Sequence, residues 1–484
     1  MNDADLGPLL RRIFLRIASR IDGERLVAEA AGGDPAFAGA SDVLAVGKVA
    51  LPMLRGLPPG PVGRRTLAVV PTSLLPGAHA PDGLPKGIQL VAGDHPIPTA
   101  RSVAAAAAAL AFVRSVSRSV SHPVVGAGGP PTGAAAGSAP RLLVLLSGGA
   151  SALLCAPADG IRWPDKRDAI AAVARAGAPI AELNVVRKHL SALKGGQLGL
   201  ATSAPIAVRA LSDVIGDDPA TIGSGPFSPD PSTFAQARAI IERLGIALPA
   251  PVRARLERGA RGELDETPKP RPGRAAGTGA GPRARPTTGA DTDALDHVDY
   301  RVLAGPARVV YEARAAIAAE GLTAAELLRD TEDQVEALAE AVLARARQET
   351  ADAHLGTPRI LVGNGEPRVV LPATEQAMTG AATGRGGRAT HLALCVARGL
   401  AALPEATRAR VAFLAAGTDD RDGNSDVSGA IVDGTTWSRA RALGLDPEAA
   451  LRRFDSLPVL AAIGDTLRGP GTSNLLDLHL LAVR

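Results

Sequence analysis

The strongest pattern in the chain is an unbroken apolar run that breaks into a glycine turn: Leu142-Leu-Val-Leu-Leu146, then Ser147-Gly-Gly-Ala-Ser151, then apolar residues again at helical spacing. A short run without polar alternation predicts a strand buried on both faces of a parallel sheet, followed by a tight turn into a helix. Similar short runs predict strands at 43–46, 67–70, 206–211, 300–303, 359–362 and 411–414. Helical periodicity predicts an opening amphipathic helix over 9–31, with Ile13, Leu15, Ile17, Ile21 and Leu26 among its apolar positions. Further helices are predicted over 102–118, 166–176, 182–200, 234–244, 307–320, 331–349 and 389–402. Strand and helix alternate in both halves, which predicts an α/β chain of two domains. Two stretches rich in Gly, Pro and Ala, 122–140 and 266–292, read as a surface insertion and a low-complexity linker. The linker places the domains at 1–265 and 293–484.

Composition narrows the function classes. The chain has 484 residues and 46% apolar residues but only 2% aromatics, so Ala, Leu and Val must build the core. Few aromatics and a net charge of +4 with scattered arginines argue against a nucleic-acid surface. Cys155 and Cys395 sit among apolar residues and read as small buried hydrophobes rather than a disulfide or metal site. No apolar run approaches the roughly 18 residues of a membrane span. The acidic start, Met1-Asn-Asp-Ala-Asp, lacks a signal-peptide layout, so the expected location is cytoplasmic. Only six residues are lysine, and Lys48, Lys188 and Lys194 lie in glycine-rich or polar stretches. A chain that prefers arginine elsewhere keeps lysine where a compact charge is useful.

Several stretches could carry chemistry. Gly47-Lys48 follows a strand without the spacing of a Walker A motif. Ser147, Gly148, Gly149 and Ser151 could present hydroxyls and N–H groups to a carboxylate or phosphate, or could simply form a tight turn. Arg187, Ser191 and Lys194 fall on one stripe of the predicted 182–200 helix, as an anion-binding or a solvated face. Asp213, Asp217 and Asp218 follow a strand end and could hold Mg²⁺, or could cap turns. Gly384, Gly386 and Gly387, with Arg385 and Arg388, suit polyphosphate better than a dinucleotide. The run Asp419, Asp420, Asp422 and Asp426 needs solvent, backbone donors or a cation.

Taken in order, Gly47-Lys48, His95-Pro96-x-Pro98, Leu146-Ser-Gly-Gly-Ala-Ser151, Asn184 to Gly196, Ser212-Asp-Val-Ile-Gly-Asp217, Gly223-Ser-Gly-Pro226, Gly386-Gly-Arg388, Gly417-Thr-Asp419 and Gly469-Pro470 with Asn474 and Asp477 resemble the glycerate kinases that carry a C-terminal MOFRL-type domain. The resemblance implies an N-terminal Rossmann-like three-layer domain and a C-terminal MOFRL-type α/β domain enclosing a cleft. It implies ATP-dependent phosphorylation of D-glycerate, usually on the 2-hydroxyl, with ATP and Mg²⁺; the sequence does not give the oligomeric state, and a homodimer is one option. Lys48 and Arg388 match two basic positions regarded as functional. The implied roles are charge stabilisation by Lys48 and Arg388, and metal holding or hydroxyl orientation by Asp213 or Asp419, with Asp217 beside Asp213 on the metal. Substrate contacts fall to Ser147, Gly148, Gly149, Ser151, Arg187 and Lys194. Nucleotide contacts fall to Gly384, Gly386, Gly387, Ser224 and Gly225. Ala389 and Thr390 replace the usual residues after Arg388, and Asp420 stands where Gly is usual. An NAD(P)H-dependent hydroxypyruvate reductase and a non-catalytic sugar-acid or nucleotide binder are the alternatives.

Overall fold

The computed structural model describes residues 5–75, 82–116, 141–271, 294–351, 357–371 and 384–484. The 122–140 insertion and most of the 266–292 stretch lie outside the described residues. The chain forms two compact units, one of Glu24–Ser212 and Asp217–Leu303, the other of Met1–Gly23, Asp213–Gly216 and Ala304–Arg484.

The first unit is built on β1 (Asp42–Val46), β2 (Arg65–Pro71), β3 (Gln89–Gly93), β4 (Leu142–Leu146), β5 (Ile206–Leu211) and β6 (Val298–Ala304), in the order β3-β2-β1-β4-β5-β6. Strands β1 to β5 pair in parallel. Every residue of β1, β4 and β5 is buried, as their largely apolar sequences require. The strand order reverses between β1 and β4. In open α/β sheets, ligands enter the crevice beyond the carboxyl ends of the strands at such a reversal. The loops after β1 and β4 begin at Gly47 and Ser147.

Strand β6 follows the low-complexity stretch yet belongs to this sheet. The buried Arg209 guanidinium of β5 explains why: it pairs with Asp34 at 2.5 Å and with Asp299 of β6 at 2.8 Å. The beginning of the expected linker is also packed into this unit. Thr267 donates to Asp230 at 3.0 Å, and Glu266 lies 3.2 Å from His189 Nε2. The described residues on both sides of 272–293 therefore belong to the first unit, and the chain changes units at 303–304 rather than within 266–292.

The second unit contains β7 (Thr323–Glu326), β8 (Arg359–Gly365), β9 (Val411–Gly417), β10 (Gly429–Asp433), β11 (Thr466–Leu467) and β12 (Asp477–Val483), in the order β11-β10-β9-β12-β8-β7. All neighbours are antiparallel except β7 and β8. Helices Val335–Ala351 and Arg388–Ala401 supply Leu338, Val342, Leu392 and Val396 to a core with Phe413 and Leu481 of the sheet. The opening helix, Leu6–Arg20, also belongs here rather than with the residues that follow it. It buries Leu9, Leu10, Ile13, Phe14 and Ile17 and packs on β9, β10, β12 and the helix Pro306–Ala318. Arg16 and Arg20 pair with Glu320 and Glu312 beside it.

Several elements depart from the periodicity. The expected 9–31 helix is two helices, because Leu6–Arg20 closes at Ile21 and a new one starts at Gly23. The expected 182–200 helix stops at His189, since Gly195 and Gly196 are left-handed and Ser191 bridges to Pro157. Strand β12, at the centre of the second sheet, is not among the strands that the apolar runs predict, and neither are β3, β7, β10 and β11. Among the described residues no helix is long and apolar enough to cross a membrane.

Placing the first helix with the second sheet has a direct test. Phe14→Ala should cost about 3–5 kcal/mol. The loss should speed amide exchange in β9, β10 and β12 while β1 and β4 stay protected; acceleration in β1 and β4 instead would remove the helix from this unit.

Candidate functional site

In the first unit the carboxyl ends of β1 and β4 are joined atom by atom. Ser147 N–H donates to Val46 O at 2.9 Å, Lys48 N–H to Gly148 O at 2.9 Å, and Val49 N–H to Ser147 Oγ at 3.2 Å. Gly47 is left-handed, with φ +132, and a Cβ there would sit 2.1 Å from Ser147 Oγ. Only glycine allows this approach. Ser147 is fully buried and its hydroxyl is spent on this junction, so it sets Lys48 in place rather than touching a ligand. Gly149, also left-handed, lies between two side chains: an added Cβ would be 3.1 Å from His95 Cδ2 and 3.2 Å from Lys48 Cγ. Burial and the Lys48 charge push the His95 imidazole down to about 4, so it is neutral beside the ammonium. The turn after Gly149 is one helical turn, Ala150–Leu153, too short for a substantial helix dipole.

Behind this loop lies a group of cations, Lys166 and Lys194 buried and Arg187 half-buried. Lys194, 3% exposed, donates to Ser151 O at 2.7 Å and contacts Ser151 Oγ at 2.9 Å. Ser151 Oγ is 2.8 Å from Ser224 Oγ, and Ser224 donates to Asn184 Oδ1 at 3.3 Å. Arg187 reaches the same Asn184 oxygen at 3.4 Å. Lys166, 2% exposed, is held by Ala156 O at 2.8 Å. Among the described residues, no carboxylate lies within ion-pair distance of Lys166, Arg187 or Lys194. Burial pushes Lys194 down to about 7 and Lys166 down to about 8, with the neighbouring cations adding to both shifts. Ser224 is buried with φ +64, between left-handed Gly223 and Gly225. A serine in this region costs on the order of 1 kcal/mol or more, which the surrounding structure must supply.

The second unit gathers acids instead. Arg388 donates to both carboxylate oxygens of Asp477, at 2.6 and 3.0 Å, and to Glu366 at 2.8 Å. Burial opposes its charge, but the two acids raise its pKa above the ordinary value. Burial raises the Glu366 pKa against the pull of Arg388, and Asp477 and Asp213 add to the rise. Asn474 donates to Asp213 at 2.9 Å. Asp419 and Asp477 approach the same face of Gly417, where an added Cβ would lie 3.0 and 3.4 Å from their Oδ1 atoms. The structure therefore places Arg388, Asp213 and Asp419 in one polar group and adds Glu366, Asp477 and Asn474.

The glycine turn before Arg388 differs from a phosphate cradle. Asp422 accepts from the N–H groups of Gly387, Ala389 and Thr390 at 3.0, 2.9 and 2.7 Å, and from Thr390 Oγ1 at 2.6 Å. Gly386 N–H donates to Asn424 at 2.9 Å, and Gly384 O accepts from Asn424. The helix N-terminus is thus filled by the chain's own carboxylate, and the amides expected to hold a nucleotide phosphate are already used. Asp218 similarly caps its own turn through Ala220 N–H and Thr221 Oγ1. Asp213 and Asp217 fall in different units. Among the described residues no group of three or more His, Cys, Asp or Glu side chains could hold a metal ion.

Ser191 is not on a helical stripe with Arg187 and Lys194. It caps the 191–194 turn by accepting from Leu193 and Lys194 N–H groups. Lys166, His95 and Asn184 are site groups that pattern alone did not single out as ligands. The scarcity of lysine was the available signal for Lys166. Cys155 and Cys395 are free and buried, as expected. A cavity of about 300 Å³ lined by Asp42, Arg65 and Arg141 lies at the amino ends of β1, β2 and β4. That is the wrong end for a ligand crevice, and Asp42 and Arg65 pair with each other there.

A family profile described as a domain of unknown function, DUF4147, matches residues 9–257, and one described as the MOFRL family matches residues 359–477. A relative from Agrobacterium vitis, provisionally named a hydroxypyruvate reductase, is 33% identical over 82% of this chain and 77% of its own length. A protein from Pyrococcus horikoshii named glycerate 2-kinase is 30% identical over 82% of this chain and 78% of its own length. The crystal structure of a glycerate kinase from Thermotoga maritima matches with a TM-score of 0.74 at 25% identity, covering 99% of each chain.

Imidazoles held neutral by burial, the buried His479 and the half-buried His95 most strongly, with His189 and His391 shifted in the same direction, give the protein a defined acid sensitivity. Burial pushes His479 of β12 down to about 4, as it does His95. Unfolded histidine takes its proton near pH 6.5. The folded state therefore binds fewer protons between about pH 6.5 and 4, and stability falls as pH drops through that window. Denaturant midpoints should show this slope, and His479→Phe should reduce it by about one proton near pH 5. An unchanged slope in that variant would rule out the neutral His479.

Proposed function

The chain belongs to the glycerate kinase family that joins a DUF4147 domain to a MOFRL domain, and we propose that it phosphorylates D-glycerate on the 2-hydroxyl with ATP as donor. The observation that carries this reading is the group Lys166, Arg187 and Lys194, with no carboxylate within ion-pair distance among the described residues, beside the hydroxyls of Ser151 and Ser224. Arg187 and the nearby Lys48 suit a small carboxylate, and Ser151, backed by Lys194, suits the substrate's own hydroxyl. Phosphoryl transfer asks the protein mainly for positioning and charge neutralisation. Lys48 acts on the charge of the transferring group, and the Gly47–Ser147 junction fixes its backbone. Arg388 is the corresponding cation of the second unit, oriented by Asp477 and Glu366. Asp213, fixed by Asn474, and Asp419 are the acids proposed beside it. Ser224 serves as the support of Ser151, and Gly225 as the left-handed turn that follows.

Magnesium, where bound, neutralises phosphate oxygens of the nucleotide and needs few protein carboxylates. The described side chains form no cage for it, so no step is assigned to the metal. The loop after β1 reads Gly47-Lys48-Val49, without the glycine fingerprint of a dinucleotide site, which disfavours the reductase reading.

Purified protein should convert D-glycerate and ATP to 2-phosphoglycerate, identified by phosphorus NMR. Lys48→Ala should lower kcat by roughly 100-fold or more, the scale of losing one preorganised charge-stabilising group. Hydroxypyruvate-dependent oxidation of NADPH without phosphoryl transfer would replace the kinase reading with a reductase.

A further inference from the structure

We propose that Ser151 and Lys194 form the proton acceptor for the substrate hydroxyl, with Ser224 and Asn184 as positioning residues. The inference rests on reading the β1/β4 crevice as the acceptor-substrate site. Its basis is a continuous chain of contacts: Lys194 Nζ to Ser151 Oγ at 2.9 Å, Ser151 Oγ to Ser224 Oγ at 2.8 Å, and Ser224 Oγ to Asn184 Oδ1 at 3.3 Å.

The polarity of this chain is set at its far end. Ser224 gives its hydrogen to Asn184, so its oxygen faces Ser151 as an acceptor. The hydrogen of Ser151 then has two acceptors, Ser224 Oγ and the lone pair of a neutral Lys194 amine. Ser151 is only partly buried, whereas Lys194 and Ser224 are buried behind it. A substrate hydroxyl meets the serine and not the lysine.

The charges around Lys194 favour the neutral amine. Lys166 from the helix Trp163–Arg175 and Arg187 from the helix Ile180–His189 face it, with the Cys155 thiol in the same group. The carboxylate packed beside Gly195, that of Asp230, is taken by Lys188 at 3.1 Å. Buried like charges cannot all ionise without large cost, and lysine gives up its proton far more readily than arginine. With its pKa pushed down to about 7, Lys194 can accept a proton near neutral pH.

The step balances without an added reagent. The substrate oxygen forms its bond to the γ-phosphorus of ATP as the bond to the β,γ-bridging oxygen breaks and ADP leaves. The substrate proton passes to Ser151 Oγ as the serine's own hydrogen passes to Lys194 Nζ. The resulting ammonium later releases its proton to water. A left-handed Ser224 is the conformational cost of aiming the supporting hydroxyl at Ser151.

The test separates a base from an anion-holding cation. Lys194→Arg keeps the charge and removes the acceptor, and its folding is checked by thermal melting. It should lose roughly 100-fold in kcat while KM for D-glycerate stays within about threefold, the scale of general-base catalysis. Ser151→Ala should behave alike and Ser151→Thr should recover about tenfold of that loss. The wild-type kcat should rise with pH toward a plateau above about 7, and that rise should be absent in Lys194→Arg. Nitrogen-15 NMR of the lysine Nζ groups, assigned through the Lys194→Arg spectrum, should show one amine titrating near neutrality without any substrate. An arginine variant with near-wild-type kcat, or a Lys194 signal that stays charged to about pH 9, overturns the proposal while leaving the kinase reading intact. A wild-type protein that does not phosphorylate D-glycerate overturns both.

Discussion

The contact between Gly47 and Ser147 is the constraint on which the first unit's chemistry depends. Two parallel strands end side by side, and their backbones come too close for any side chain at position 47. Ser147 fills the gap with a hydroxyl that Val49 N–H can use. This junction fixes the direction in which Lys48 leaves β1 and Ser151 leaves β4. It also brings the imidazole of His95 against Gly149, so that the ammonium of Lys48 is flanked by a neutral ring. A reversal of strand order supplies an open crevice at this point; the junction decides which groups face it.

Charge is distributed unequally between the two units' polar groups. In the first, the buried Lys166 and Lys194 and the half-buried Arg187 have no carboxylate counterpart among the described residues. Such an arrangement has two relaxations: an anion can bind, or a lysine can lose its proton. A hydroxy acid uses both, because its carboxylate answers the cations and its hydroxyl needs a proton acceptor. In the second unit the charges around Arg388 are already answered. Asp477 and Glu366 hold Arg388 in a bidentate and a single contact, and Asp422 closes the helix N-terminus that starts at Arg388.

How far the sequence discloses this depends on the range of each interaction. The strand at 142–146 was readable to the residue, because an apolar run bounded by Arg141 and Ser147 leaves little choice of ends. The importance of Gly47 and Lys48 was legible only through the ordered set of motifs, since the reason for the glycine is a serine 100 residues away. Ser151 and Lys194 were both identifiable as polar residues in glycine-rich surroundings, but not as partners: the helix expected through 200 ends at His189, and the turn that follows carries Lys194 back to the β4 loop. Strand β12 was missed because Asp477 and His479 sit in a run otherwise apolar and close to the chain end, yet it is paired on both sides. The first helix was legible as a helix, while its membership of the second unit depends on residues 400 positions later and has no local signature.

The glycine loop before Arg388 shows why composition misleads about anion binding. Glycines at a helix start with two arginines nearby are what a polyphosphate site would contain. They are also what a buried aspartate needs if its carboxylate is to replace the missing hydrogen-bond partners of the first helical turn. The two cases differ only in what occupies the space, and Asp422 occupies it with four donors satisfied. A phosphate there would have to displace a carboxylate from its own ligands. That closes the most obvious anion site of the chain and leaves the unbalanced cations of the β1/β4 crevice as the stronger attraction for an anionic substrate. The less conspicuous sequence, a serine turn and two lysines in an arginine-rich chain, therefore holds the greater chemical potential.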